Sequence, residues 1–107
     1  MQTFPDVTVT ELAQMKEKQA DFILLDVREP HEYEICNIGG LLIPMQTLPN
    51  RLNELNKDQH IVVHCRSGGR SAKVKDYLLA NGFTKVSNLT GGILAWIDQI
   101  DPSLTKY

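Results

Sequence analysis

The sequence is poor in cysteine, in aromatic side chains and in excess charge. Cysteine occurs twice, as Cys36 and Cys65, with no CxxC pair. A secreted domain of this size ordinarily carries a denser disulfide framework, so reduced thiols are the expectation and one disulfide the alternative. Eleven basic side chains stand against 13 acidic ones, for a net charge of −2. That balance gives no basic surface of the kind that binds nucleic acid or anionic lipid. No apolar run approaches the roughly 20 residues that cross a bilayer. Met1 to Asp6 has neither the basic nor the apolar part of a secretory signal. A cytoplasmic protein without nucleic-acid or membrane partners is therefore expected. His31 and His60 lie in separate segments without metal-ligand spacing, so no metal is expected either.

What remains is a chain of 107 residues, 42 % hydrophobic and 22 % charged, which suits one globular domain spanning residues 1–107. Repeats, linkers and low-complexity stretches are absent. Short apolar runs alternate with amphipathic ones. A helix is expected from a cap at Thr10 through Gln19, with Leu12, Ala13 and Met15 inward. Phe22–Val27, Leu41–Ile43, His60–His64 and Lys85–Asn88 read as strands. His31–Ile35, Leu48–Leu55, Gly69–Ala80 and Gly92–Ile100 read as helices, Pro30 fitting the start of the first and Asn81-Gly82 the end of the third. The alternation predicts an α/β domain with a mostly parallel sheet and helices on both faces. Ligands of such sheets gather at the carboxyl ends of the strands.

One strand end there is chemically distinctive. Ile61-Val62-Val63-His64 runs into Cys65-Arg66-Ser67-Gly68-Gly69-Arg70-Ser71. Gly68 and Gly69 tolerate positive φ, which lets successive N–H groups converge on one point. The following helix start adds unpaired N–H groups and the positive end of its dipole. Arg66 and Arg70 add charge that cannot be removed by deprotonation. The combination favours a thiolate at Cys65 and forms a cradle for an anion above a nucleophile. Ser71 is placed to contact that anion or to cap the helix. His64, next on the strand, should point to the opposite face. Asp26 and Arg28 are expected to brace the sheet end near the loop. Cys36 reads as packing, with a resolving thiol as the alternative. Trp96 reads as core, and Lys73 and Lys75 as solvated charges.

The segment Cys65–Arg70 resembles the six-residue active-site loop of the rhodanese family. Asp26-Val27-Arg28-Glu29-Pro30-His31-Glu32-Tyr33 resembles that family's DVREPxEY stretch, and Gly91-Gly92-Ile93-Leu94-Ala95-Trp96 its GGxxAW stretch. Tyr33 to Gly40, Leu42-Ile43-Pro44 and the tail from Ile100 to Tyr107 are similar to the C-terminal rhodanese domain of E1-like adenylyltransferase/sulfurtransferase fusions, which serve molybdopterin, thiamine or tRNA thiolation. Cys36-Asn37-Ile38-Gly39-Gly40 departs from the family's usual GHIPGA stretch and lacks its histidine.

The resemblance implies a three-layer rhodanese-like fold with a small, mostly parallel five-stranded sheet. It implies a sulfurtransferase that takes sulfane sulfur onto Cys65 as a persulfide, with Arg66, Ser67, Gly68, Gly69, Arg70 and Ser71 binding the anion and no cofactor. Thiosulfate or a protein persulfide, such as that of a cysteine desulfurase, would be the donor. Cyanide would accept the sulfur in an assay, and a thiol or a ubiquitin-like sulfur carrier in the cell. Arginine directly after the cysteine, where mercaptopyruvate sulfurtransferases usually have glycine, points to thiosulfate or a persulfide. Related phosphatases use a loop one residue longer, and binding modules of the family usually lose the cysteine.

Overall fold

The computed structural model describes residues 4–107; the part of the N-terminal reading that falls on residues 1–3 lies outside them. The elements follow the chain as α1 (Val9–Glu17), β1 (Phe22–Asp26), α2 (Pro30–Ile35), β2 (Leu41–Leu42), two 3-10 turns (Met45–Asn50 and Leu52–Glu54), β3 (His60–His64), α3 (Gly69–Ala80), β4 (Val86–Asn88) and α4 (Gly92–Gln99). The strands form one sheet in the order β2-β1-β3-β4, and every pairing is parallel. Phe22 to Asp26 pairs in register with His60 to His64. The central β3 is therefore flanked on both sides, and its Ile61, Val62 and Val63 are fully buried, as a strand covered on both faces requires.

The two faces carry separate cores. Leu25, Ile61, Val63 and Val86 pack with Val74, Leu78 and Phe83 on the side of α3 and the 3-10 turns. Leu24 and Val62 pack with Leu12, Ile93, Trp96 and Ile97 on the side of α1 and α4. Trp96 is core, as expected. Alternation along β3 sends Cys65 to the α3 side, with Ile61 and Val63.

Four sequence expectations need correction. The sheet of the described residues has four strands rather than five. A single parallel bridge, Val7 to Leu89, occupies the fifth position. It cannot extend, because Pro5 has no N–H to give and Thr8 already turns the chain into α1. The cap of α1 is Thr8 rather than Thr10: its hydroxyl accepts from the Glu11 N–H (3.1 Å) while Glu11 accepts from the Thr8 N–H (3.0 Å). The helix expected over Leu48–Leu55 is instead the pair of 3-10 turns: the first begins at Met45, so that Pro49 falls inside it with no N–H to reach the Met45 carbonyl as an α-helix would require, and the run breaks at Arg51. Lys75 is an anchor rather than a solvated charge, donating to Asp6 Oδ1 (2.6 Å) and to the Phe4 carbonyl (3.2 Å). Among the described residues, no helix is long and apolar enough to cross a membrane.

Candidate active site

β3 ends at His64, and Cys65 opens the loop to α3. Gly68, with φ of 117°, lets the chain turn there into the left-handed region, whereas Gly69 already belongs to the helix and does not use that freedom. The turn brings the Gly68 N–H to 3.1 Å from Cys65 Sγ, and the Ser71 hydroxyl to 3.4 Å. Burial alone would push the Cys65 thiol up. The Ser71 hydroxyl and the N–H groups of Ser71, Gly68 and Ser67 outweigh it, holding the thiol below its ordinary value. The free cysteine is 1 % exposed, so a partner reaches it with a small terminal group rather than a broad surface.

The outside of the loop is wedged by α4. Ile93 donates to the Cys65 carbonyl (3.0 Å) and Leu94 to that of Arg66 (3.1 Å). This approach needs glycine at position 92: a Cβ there would stand 2.5 Å from the Arg66 oxygen and 2.8 Å from that of Cys65. The Gly91-Gly92 pair thus seats the helix end against the loop backbone.

Asp26 and Arg28 form a fully buried ion pair at the end of β1, 2.7 Å apart. The Arg28 guanidinium has five N–H groups, and it meets Asp26 on two nitrogens, the Glu32 and Cys36 carbonyls and the Tyr107 hydroxyl. Burial works against its charge, but Asp26 and Tyr107 more than restore it. His64 faces away from the loop, onto the side of Asp26. Its Nδ1 lies 3.3 Å from the Cys65 carbonyl, and its Nε2, 3.6 Å from Asp26 Oδ2, has no hydrogen-bond partner among the described residues. Burial keeps this imidazole neutral.

The two loop arginines have different neighbours. Arg70 donates to both oxygens of Glu32, at 2.7 and 2.9 Å, which raises its pKa further. Glu32 also accepts from the Glu29 N–H (2.9 Å) and the Tyr107 hydroxyl (2.7 Å). Arg66 is exposed. Its guanidinium lies 5.1 Å from the Tyr107 ring centre, and its Nε donates to the Tyr107 carbonyl at 2.7 Å. Ser67 and Gly69 are exposed on the loop rim.

Sequence reasoning missed Glu32, Tyr107 and Asn88. Asn88, at the end of β4, reaches Ser71 and Gly68 with its side-chain amide. Their contacts with the loop and with one another have no local signal; they arise from the sheet topology and from where the C-terminal tail rests. An apolar hollow of about 200 Å³ between Met45, Leu48, Pro49, Val74 and Tyr77, with Lys73 at its edge, contains none of the candidate residues.

The rhodanese-like domain model matches residues 8–99. The chain belongs to the rhodanese-like domain family. This rhodanese-like domain is 38 % identical over 92 residues to a protein of Allochromatium vinosum named sulfurtransferase, covering 85 % of the chain and 86 % of that protein. It is 29 % identical over 118 residues to the Arabidopsis thaliana protein named adenylyltransferase and sulfurtransferase MOCS3, covering 94 % of the chain but 25 % of that protein. The crystal structure of a rhodanese-like domain protein from Staphylococcus aureus superposes with a TM-score of 0.82 at 35 % identity, covering 98 % of this chain and 99 % of that one. Similarity to a sulfurtransferase over most of both chains supports a sulfur-transfer role for the domain.

Proposed function

We propose that this rhodanese-like domain carries sulfur as a persulfide on Cys65 and passes it to a nucleophile. The carrying observation is Cys65 Sγ beneath the Gly68 N–H and the Ser71 hydroxyl, with its thiol held below the ordinary value. With thiosulfate as donor, the Cys65 thiolate attacks the outer sulfur. The S–S bond to the sulfonate breaks, sulfite leaves with the electron pair, and Cys65–S–S⁻ remains. A persulfide donor, such as that of a cysteine desulfurase, loads the same sulfur with a thiolate as leaving group. An acceptor then attacks the terminal sulfur and releases the Cys65 thiolate; with cyanide the product is thiocyanate. The cellular acceptor in this reading is a thiol, which attacks the terminal sulfur. With the activated C-terminus of a ubiquitin-like sulfur carrier the roles reverse, the terminal sulfur attacking the acyl carbon and displacing its activating group. A further thiol then attacks Cys65 Sγ of the resulting acyl disulfide to release the thiocarboxylate. The anion is held by the N–H groups of Ser67, Gly68, Gly69 and Ser71, with Arg66 and Arg70 at the rim and Asp26 and Arg28 supporting the sheet end. The chemistry needs no cofactor.

Intact-protein mass spectrometry after brief incubation with thiosulfate, and separately with a persulfide donor, tests this. The wild type gains one sulfur atom that cyanide discharges, and Cys65→Ser gains none. A wild type that gains no sulfur from either donor refutes the proposal.

A further inference from the structure

The Ser71 hydroxyl has one proton and three acceptors in reach. Its oxygen lies 2.6 Å from Asn88 Oδ1, 3.2 Å from the Gly68 carbonyl oxygen and 3.4 Å from Cys65 Sγ. The orientation of the Asn88 amide is determined chemically. Its other end lies 3.4 Å from the same Gly68 carbonyl, which can only accept, so the nitrogen faces Gly68 and the oxygen faces Ser71. The Asn88 backbone is anchored in turn, its N–H donating to Asp6 Oδ1 at 2.9 Å. One proton cannot serve Asn88 and the sulfur together, and the short contact marks Asn88 as its resting acceptor.

We propose that Asn88 is a positioning residue that sets the destination of the Ser71 proton and so tunes the reactivity of Cys65. While Cys65 is a thiol, Ser71 donates to Asn88 and its oxygen is open to the S–H. When the thiol ionises, its proton goes to solvent and the Ser71 O–H turns from Asn88 to Sγ. When Sγ becomes the inner sulfur of a persulfide, the charge resides on the outer sulfur and the Ser71 proton returns to Asn88. Asn88 therefore opposes thiolate formation slightly, and it lowers the cost of freeing Sγ for attack. The charged groups around the pair are Arg70 with Glu32, Arg66 at Tyr107, Asp26 with Arg28, and Asp6 with Lys75, while His64 is neutral on the opposite face. Among the described residues, none of these side chains hydrogen-bonds to Ser71 Oγ or Cys65 Sγ. The rate consequence rests on the sulfur-transfer function proposed above, whereas the titration of Cys65 stands without it, so the two can fail separately.

The experiment is the pH dependence of iodoacetamide alkylation, read on the Cys65 peptide. In Asn88→Ala, Ser71 has lost its nearest acceptor and keeps only the more distant Gly68 carbonyl beside the sulfur, and the apparent thiol pKa falls by about half a unit to one unit. The rate of sulfur uptake from thiosulfate per thiolate then falls about twofold to threefold, because nucleophilicity follows basicity. Ser71→Ala alone raises the thiol pKa, and adding Asn88→Ala to it produces no further shift. Asn88→Asp, which keeps the acceptor and the shape, raises the pKa and covers the case in which Asn88→Ala does not fold. An unchanged or raised pKa in a folded Asn88→Ala, an equal shift in the Ser71→Ala background, or a pKa not raised in Asn88→Asp would each overturn the role of Asn88. A titration as expected with no sulfur uptake would leave Asn88 in place and count against the sulfur-transfer function alone.

Discussion

Replacing Glu32 by glutamine separates the charge of the ion-pair network beside the loop from its shape. The Glu32 carboxylate accepts four hydrogen bonds: two from Arg70, one from the Glu29 N–H and one from the Tyr107 hydroxyl. Arg70, ahead of the opposing effect of burial, holds Glu32 at about 2 against an ordinary 4.5. A carboxylate depressed on folding contributes stability that is complete above its unfolded value and is lost as the pH falls through the folded one. The window here runs from about 4.5 down to about 2. A shift of that size corresponds to at most about 3 kcal/mol at neutral pH. Arg70 is 34 % exposed, and solvent screening reduces the figure to roughly 1–2 kcal/mol. Glu32→Gln should therefore lower the urea midpoint at neutral pH by about 0.5–1 M. The gap between variant and wild type should narrow with acidification and close near pH 2. Urea unfolding followed by circular dichroism at a series of pH values measures it. A gap that stays constant with pH would show that packing rather than charge is lost, and no gap at neutral pH would remove the ion pair from the stability of the fold.

Arg70→Ala should slow sulfur transfer by about 1.5–3 kcal/mol, roughly ten- to a hundredfold, read as cyanide discharge in a single turnover. A wild-type rate with both donors would show that Arg70 serves Glu32 alone. Gly92→Ala forces the α4 end off the loop, since its Cβ would meet the Arg66 oxygen at 2.5 Å. It should lose more than about 1 kcal/mol of stability together with persulfide formation, and a stable, fully active variant would contradict the wedge. Thr8→Ala removes the capping box of α1 and should cost about 1 kcal/mol in thermal or urea unfolding, whereas Thr10→Ala should leave stability nearly unchanged.

The sheet and the loop were legible because their signals are local. Phe22 to Val27 and His60 to His64 are short apolar runs, and a cysteine followed by paired glycines at a strand end has few other uses. Alternation along β3 placed His64 on the face opposite Cys65 without knowledge of any partner. The α1 cap was misread at Thr10 although the signal was present: Thr8 with Glu11 three residues on is the capping-box spacing, which Thr10 followed by Ala13 lacks. The long-range side-chain contacts were not legible. Glu32 and Arg70 are 38 residues apart, and Arg28 and Tyr107 are 79 apart. No residue pattern carries such a pairing; it follows from β1 and β3 lying side by side and from where the tail comes to rest.

The seating of α4 on the loop has a consequence for how the site moves. The amides of Ile93 and Leu94 are bonded to Cys65 and Arg66, and Ile93 is itself fully buried in the core. Releasing the loop backbone would require that helix end to leave the core, so opening here takes a free energy close to that of global unfolding. Those two amides should accordingly exchange with deuterium about as slowly as the central strand. The backbone around the sulfur behaves as part of the rigid frame, and motion that admits a partner is left to the side chains on the rim.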